Sequence, residues 1–226
     1  MNRTIEDLQC GGLVIVQDKD LYRFTSDSVL LANFFKAKAG ETVVELCSGS
    51  SVISILGTKK TRAKQFYCFE LQKEMCELAE ESIKLNNIKN ISVIEADLSD
   101  AYKILNRKVD VVVVNPPYYQ TGKPSDNPVV AKATHELSTN LAKIAKSAGE
   151  LLKFGGKLFM VHLAERFADV CYQLIANDIQ PKQAVFVYPT KDKQPNVVLI
   201  EAIKNGKSGI KIKNITQKGE HNYATI

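Results

Sequence analysis

The sequence predicts an α/β fold: a Rossmann-like, seven-stranded, mostly parallel sheet with a C-terminal antiparallel hairpin and a short N-terminal β-hairpin and helix extension. Three observations predict it. From Glu41 onward, short β-branched runs alternate with segments of helical periodicity. Val109-Asp110-Val111-Val112-Val113-Val114 suits a central parallel strand buried on both faces. Ala184 to Tyr188 and Val197 to Ile203 are strand-like runs joined by a polar loop with no room for a helix, so they pair only as an antiparallel edge hairpin. A flavodoxin-like or nicotinamide-binding sheet is the competing arrangement, and it does not usually end in such a hairpin.

The elements follow in order. Leu13 to Val16 and Leu21, Tyr22 and Phe24 flank polar Gln17-Asp18-Lys19-Asp20, which reads as a hairpin beside the main domain. Thr25-Ser26-Asp27 supplies capping side chains for a helix through Val29, Leu30, Leu31, Ala32, Phe34 and Phe35. Thr42 to Leu46 is a strand and Ser51 to Leu56 its helix. Gln65 to Phe69 is the next strand, followed by a helix with Met75, Leu78, Ala79 and Ser82 on one face. Ile91 to Ala96 is a third strand. A long loop from Tyr118 to about Ala133 precedes a helix whose stripe is Leu137, Leu141, Ile144, Ala148, Leu151 and Leu152. Gly155-Gly156 separates that helix from a strand over Lys157 to Val161, and Phe167, Val170, Cys171, Leu174 and Ile175 mark the last helix. No repeat or Pro/Gly-rich linker divides the chain. One domain is expected, with residues 1–40 as the extension and 41–226 as the core.

Composition narrows the function classes. The net charge of +5 in 226 residues is compatible with a polyanionic partner without requiring one. Five cysteines, without a C-x-x-C pair, argue against a metal site or a disulfide framework. Met1 to Glu6 lacks a signal-peptide apolar region, and no apolar run is long enough to span a bilayer. A cytoplasmic protein with no membrane contact and no metal is expected, with a monomer as the default.

An open parallel sheet binds ligands beyond the carboxyl ends of its strands. Here Glu45 to Gly49, Glu70, Asp97 and Asn115 follow four successive apolar runs and deliver polar groups to one rim. Glu70 lies 25 residues beyond Glu45, near the interval at which such folds place a ribose-binding carboxylate. Asp97 can accept from the amine of an adenine, and equally suits the N-cap of a helix near Ser99. The loop Glu45-Leu46-Cys47-Ser48-Gly49-Ser50-Ser51 holds a single glycine and would not identify a nucleotide site by itself.

The sharpest motif is Asn115-Pro116-Pro117-Tyr118. An aromatic amine is a poor nucleophile because its lone pair is delocalised into the ring. Acceptors aimed at its two hydrogens favour the pyramidal state that can attack a methyl group. The Asn115 side-chain oxygen and the Pro116 carbonyl can be those acceptors, on a turn stiffened by both prolines. Tyr118 can stack on a base. No strong base is needed when the methyl donor carries a cationic leaving group, and positioning supplies most of the catalysis. The motif therefore points to an amino-group methyltransferase using S-adenosylmethionine. The same dipeptide chemistry also makes a rigid turn. His162, at the end of an apolar strand, reads as structural, and His221 lies in a polar tail. Lys123, Lys132, Lys191 and Lys193 are candidate phosphate contacts.

With these residues in view, the chain resembles the bacterial tRNA(Val) adenine-37 N6-methyltransferase family. The resemblance spans Tyr22-Arg23-Phe24 with Asp27 to Ala32, then Asn115 to Tyr119, Ala133-Thr134-His135-Glu136, Phe159 to His162 with Glu165-Arg166, Tyr188-Pro189 with Lys191 to Lys193, and Val197 to Ala202. It implies S-adenosylmethionine as cofactor and a tRNA adenine N6 as target. By position it implies cofactor roles for Phe24, Asp27, Glu45, Ser48, Gly49, Glu70, Leu71, Asp97, Leu98 and Asn115, with Asn115 to Tyr118 at the target base. The family's Asp-x-Gly-x-Gly-x-Gly loop is replaced here by Glu45, Cys47 and Ser51 around Gly49. Glutamine-amide methylation, guanine-N2 methylation and a non-catalytic RNA-binding role are the alternatives.

Overall fold

Alternation along Val109–Val114 shows how the fold closes. Val111 and Val113 pack into one core cluster, and Val112 and Val114 into another on the opposite face. A strand with both faces apolar must be covered on both sides, and helices supply the cover. The computed structural model describes residues 2–118, 125–136 and 139–216. Lys123, Tyr119, Leu137 and His221, singled out above, lie outside them.

The strands are β1 (Arg3–Asp7), β2 (Val14–Asp18), β3 (Thr42–Leu46), β4 (Gln65–Glu70), β5 (Ile91–Glu95), β6 (Val109–Val114), β7 (Leu152–Leu163), β8 (Ile179–Tyr188), β9 (Val197–Lys204) and β10 (Lys211–Thr216). The helices are α1 (Ser26–Phe34), α2 (Val52–Lys60), α3 (Lys73–Leu85), α4 (Ala101–Leu105), α5 (Pro128–Thr134), α6 (Leu141–Leu151) and α7 (Phe167–Ile175). Among the described residues, eight strands form one sheet in the order β10-β8-β9-β7-β6-β3-β4-β5. Only β9 runs antiparallel to its neighbours there. Helices α1 and α2 supply side chains such as Leu31 and Ile55 to one core cluster, and α6 and α7 supply Ile144 and Val170 to the other. Strand order reverses between β3 and β6, so a crevice opens at their carboxyl ends.

Four expectations change, the first being the long loop expected from Tyr118 to about Ala133, where α5 occupies Pro128–Thr134. The sheet has eight strands, because β10 adds in parallel to β8. Lys211-Ile212-Lys213-Asn214-Ile215-Thr216 is largely exposed, so its place comes from backbone pairing rather than from a buried apolar face. The N-terminal hairpin pairs β2 with β1 rather than with Leu21 to Phe24. Its reversal falls at Gly11 and Gly12, with φ of +58° and +76°, where glycine bears a left-handed backbone without steric cost. Finally, Gly155-Gly156 does not separate helix from strand. β7 already starts at Leu152 and bulges between the pairs Val109–Leu152 and Val111–Lys157. A Cβ on Gly156 would lie 2.9 Å from the Lys153 carbonyl and 3.1 Å from that of Asp110, so only glycine lets the bulge close on β6. Among the described residues no helix is long and apolar enough to cross a membrane.

Candidate active site

The crevice holds a cavity of about 320 Å³. Its walls come from the loop after β3, the ends of β4, β5 and β6, the approach to α1, and α5. Of the residues singled out in the sequence, Phe24, Glu45, Ser48, Gly49, Glu70, Leu71, Asp97, Leu98, Asn115 to Tyr118 and Lys132 reach this cavity. Lys191 and Lys193 are exposed between β8 and β9 and do not line it.

The loop after β3 is built by backbone geometry. Cys47, Gly49 and Ser51 have φ of +55°, +52° and +58°, so two ordinary side chains adopt the left-handed form usually left to glycine. Bonds hold it there: Ser51 N donates to Ser48 O at 2.7 Å and Ser48 N to Phe69 O at 3.0 Å. Glu70 completes the fastening. Its carboxylate accepts from Gly49 N at 2.8 Å and from Gln72 N at 3.0 Å. Burial pushes the Glu70 carboxyl above its usual range, and the backbone N–H groups pull it partly back. A carboxylate has about four acceptor sites, so two bonds leave room for ligand hydroxyls.

Glu45 lies at the base of the rim. It reaches the cavity wall but is 1% exposed, and its carboxyl is committed to Ser54, accepting from the backbone N at 2.9 Å and from the hydroxyl. The Cys68 thiol lies at 3.9 Å. Burial pushes the Glu45 pKa up to about 8 despite those bonds. Glu45 fastens α2 to β3 under the loop, because a buried acid at a strand end bonds whichever donors seal it in. Asp97 caps the 3₁₀ turn Leu98–Asp100 through Ser99 N at 2.8 Å, and also pairs with Lys143 Nζ at 2.7 Å. Partial burial alone would raise its pKa; the Lys143 and Ser99 bonds outweigh it and hold the carboxyl below the usual range.

The turn after β6 is fastened by side chains. Asn115 Nδ2 donates to Ser28 Oγ at 2.9 Å, and the Tyr118 hydroxyl donates to Asp27 Oδ2 at 2.7 Å. Both partners sit in the first turn of α1. Asp27 thus serves the tyrosine directly. It is absent from the cavity wall and holds the tyrosine instead, and burial raises its pKa more than the Tyr118 and Ser26 bonds lower it. The Tyr118 ring lies 5.6 Å from that of His162, tilted by 53°. Burial lowers the His162 pKa to about 4, so the imidazole is neutral near pH 7. Among the described residues, three cavity-wall atoms are buried without a hydrogen-bond partner: Ser48 Oγ, Asn115 Oδ1 and Thr139 Oγ1. Orphaned buried polar atoms are uncommon, and several around one cavity mark a ligand site.

Comparison with known proteins then decides the family. Residues 23–170 match the methyltransferase small domain. The chain belongs to that family. A protein of Shewanella amazonensis named tRNA1(Val) (adenine(37)-N6)-methyltransferase is 22% identical over 98% of this chain and 90% of its own length. A Methanocaldococcus jannaschii protein provisionally named for N5-glutamine methylation is 32% identical over 51% of this chain and 56% of its own length. A Mycoplasma pneumoniae protein of uncharacterised function is 29% identical over 49% of this chain, which spans 24% of that protein. The chain thus spans only about a quarter to a half of some curated relatives it matches. Among solved structures, M. jannaschii TYW2 in complex with AdoMet has a TM-score of 0.60 at 18% identity, covering 89% of this chain and 85% of that one. At that identity the likeness concerns the fold alone.

Sequence reasoning missed Ser28, Thr139 and Lys143. Ser28 follows the quoted Asp27, but nothing in local spacing ties it to Asn115, 87 residues away. Thr139 and Lys143 stand among polar helix-start residues without a motif.

Proposed function

We propose that the protein transfers a methyl group from S-adenosylmethionine to the exocyclic N6 of an adenine in tRNA, with adenosine 37 of a valine tRNA as the specific target. The observation that carries the reading is Asn115 Oδ1, a buried acceptor with no partner among the described residues, on the cavity wall beside Pro116 and Tyr118. The names of full-length relatives such as the Shewanella protein support the tRNA substrate, and the chain's net charge of +5 is compatible with it.

The residues present fit the cofactor. Glu70 has acceptor capacity for paired hydroxyls, Asp97 and Leu98 stand at the neighbouring strand end, and the loop around Gly49 lines the space beside them. Bound there, S-adenosylmethionine would supply a methyl group on a cationic sulfur able to leave as a neutral thioether, and the methylated amine would give up one proton to water. Asn115 Oδ1 and the Pro116 carbonyl accept the two target N–H groups and so favour the pyramidal, nucleophilic nitrogen. Tyr118 supports the base. Its hydroxyl is tied to Asp27 and its ring rests near neutral His162, which restricts its rotamer.

Transfer of tritiated methyl groups to total unmodified tRNA, with the labelled nucleoside identified, tests the reading. N6-methyladenosine from one valine tRNA is expected. Label in protein would favour glutamine-amide chemistry, for which the M. jannaschii similarity is the specific support, and label in guanosine would also overturn the adenine target.

A further inference from the structure

We infer that Ser28 is a positioning residue for the proposed reaction, holding the Asn115 amide with its nitrogen turned inward so that its oxygen is left for the target amine. The inference rests on the function proposed above. Two observations carry it: Asn115 Nδ2 donates to Ser28 Oγ at 2.9 Å, and Asn115 Oδ1 is buried with no partner among the described residues.

An amide side chain has a donor end and an acceptor end, and rotation by half a turn exchanges them. Facing a target amine, the two orientations are opposites. Oxygen outward accepts an N–H, whereas nitrogen outward sets donor against donor. Only the first favours a pyramidal nitrogen. A serine hydroxyl can bond either end, so the choice depends on what happens without it. Ser28 is 5% exposed at the cavity wall, so a donor stranded there has little access to bulk solvent. A buried unpaired N–H is rarer and costlier than an under-satisfied carbonyl. Without Ser28 Oγ, the amide would turn its nitrogen to the polar cavity and its oxygen to the vacated wall. That is the unproductive orientation.

Ser28 is well placed to impose the choice. It lies in the first turn of α1, whose next residue toward the N-terminus, Asp27, takes the Tyr118 hydroxyl at 2.7 Å. The helix start thus grips both ends of the tetrapeptide. Farther along α1, Leu30, Leu31 and Phe34 are buried in the core, so the grip is anchored to the sheet.

The test uses the full chain with S-adenosylmethionine and unmodified total tRNA. Ser28→Ala is expected to lower kcat roughly ten- to a hundred-fold, the range set by one buried hydrogen bond. The dissociation constant for S-adenosylmethionine should stay within about two-fold, a change too small to count as a lost contact. Ser28→Cys keeps the volume but offers sulfur, a weak acceptor, and should lose activity in the same way. Full activity in Ser28→Cys would assign the residue to packing and overturn the inference. The decisive readout is the Asn115→Asp background. A carboxylate accepts at both ends, so adding Ser28→Ala there should cost at most a few-fold further. An undiminished cost there would sink the orienting role. Independently of turnover, one Asn115 side-chain amide proton should exchange slowly by nitrogen-15 NMR and lose that protection in Ser28→Ala. An unchanged amide in that variant overturns the inference, even if no RNA is methylated. Absence of methyl transfer by the unmodified protein would instead count against the proposed function alone.

Discussion

Two loops meet across the crevice, one after β3 and one after β6, and they are held in opposite ways. The loop at residues 47–51 is held through its own backbone groups, one of them bonded to the Glu70 carboxylate. Three left-handed residues turn the chain so that the Gly49 N–H meets the Glu70 carboxylate, and every partner lies within the neighbouring β3 and β4 units. The turn at residues 115–118 is stiff through its prolines, but its orientation comes from Ser28 and Asp27, near the other end of the chain. A site made of backbone tolerates a change of residue type so long as the φ values persist. A site made of side chains does not. This is why the first loop survives with a single glycine, whereas the second depends on particular atoms of Asn115 and Tyr118.

The largest effect expected from breaking this contrast is in Asn115→Ala. Turnover should fall roughly 10²- to 10³-fold, as when an aligned polar group at a reacting centre is removed. Binding of S-adenosylmethionine by calorimetry should weaken no more than about three-fold, because the proposed cofactor contacts lie on the other loop. Equal losses in both would show that the loops are not separable.

Glu70→Ala should give the complementary result. Two backbone N–H groups lose a charged acceptor, at a cost of about 2–3 kcal/mol in denaturant unfolding. Cofactor affinity should fall about ten-fold or more, while kcat at saturating cofactor changes little. Retained affinity would remove Glu70 from the cofactor side of the cavity.

Stability against pH separates the loops again. Glu45, under the first loop, keeps its proton to about pH 8 in the fold, against an ordinary value of 4.5. The folded state therefore binds more protons than the unfolded chain between those values. Its contribution is complete below pH 4.5 and is lost as pH rises towards 8. His162, beside Tyr118, has its pKa lowered from 6.5 to about 4, so its contribution is complete above pH 6.5 and lost as pH falls through 4. Thermal unfolding followed from pH 4 to 9 should show Glu45→Gln reducing the alkaline decline and His162→Phe reducing the acid one. Reversed or identical profiles would contradict the burial of these groups as described.

The smallest effect sharpens the backbone side. Ser51 is fully buried at φ +58°, and its side chain makes no capping bond for α2. Ser51→Gly should therefore leave activity intact and raise stability by up to about 1 kcal/mol. A loss of stability instead would mean that the hydroxyl matters more than the strain.

Much of this was legible from residue order. The alternating runs from Glu41, the valine-rich β6, the terminal β8–β9 pair and the rim residues Glu70, Asp97 and Asn115 are local patterns, because β-branched runs and strand-end polar groups carry their preferences in adjacent residues. β10 was not legible, since its residues have no buried face and are recruited by the open edge of β8. The pairing of β1 with β2 depended on Gly11 and Gly12 rather than on apolar alternation.

Residue order is enough to specify that a stiff, acceptor-rich Asn115-Pro116-Pro117-Tyr118 turn ends a buried parallel strand, because two prolines and a run of valines act through neighbouring bonds. Which atoms of that turn are available depends on packing. Asn115 can present either end of its amide and Tyr118 several rotamers. The contacts that choose among them come from Ser28 and Asp27, 87 and 91 residues away in the chain and brought alongside by the packing of α1. The same packing moved Asp27 from an expected cofactor contact to the hydroxyl of Tyr118, and left Glu45 beneath the loop it was expected to serve.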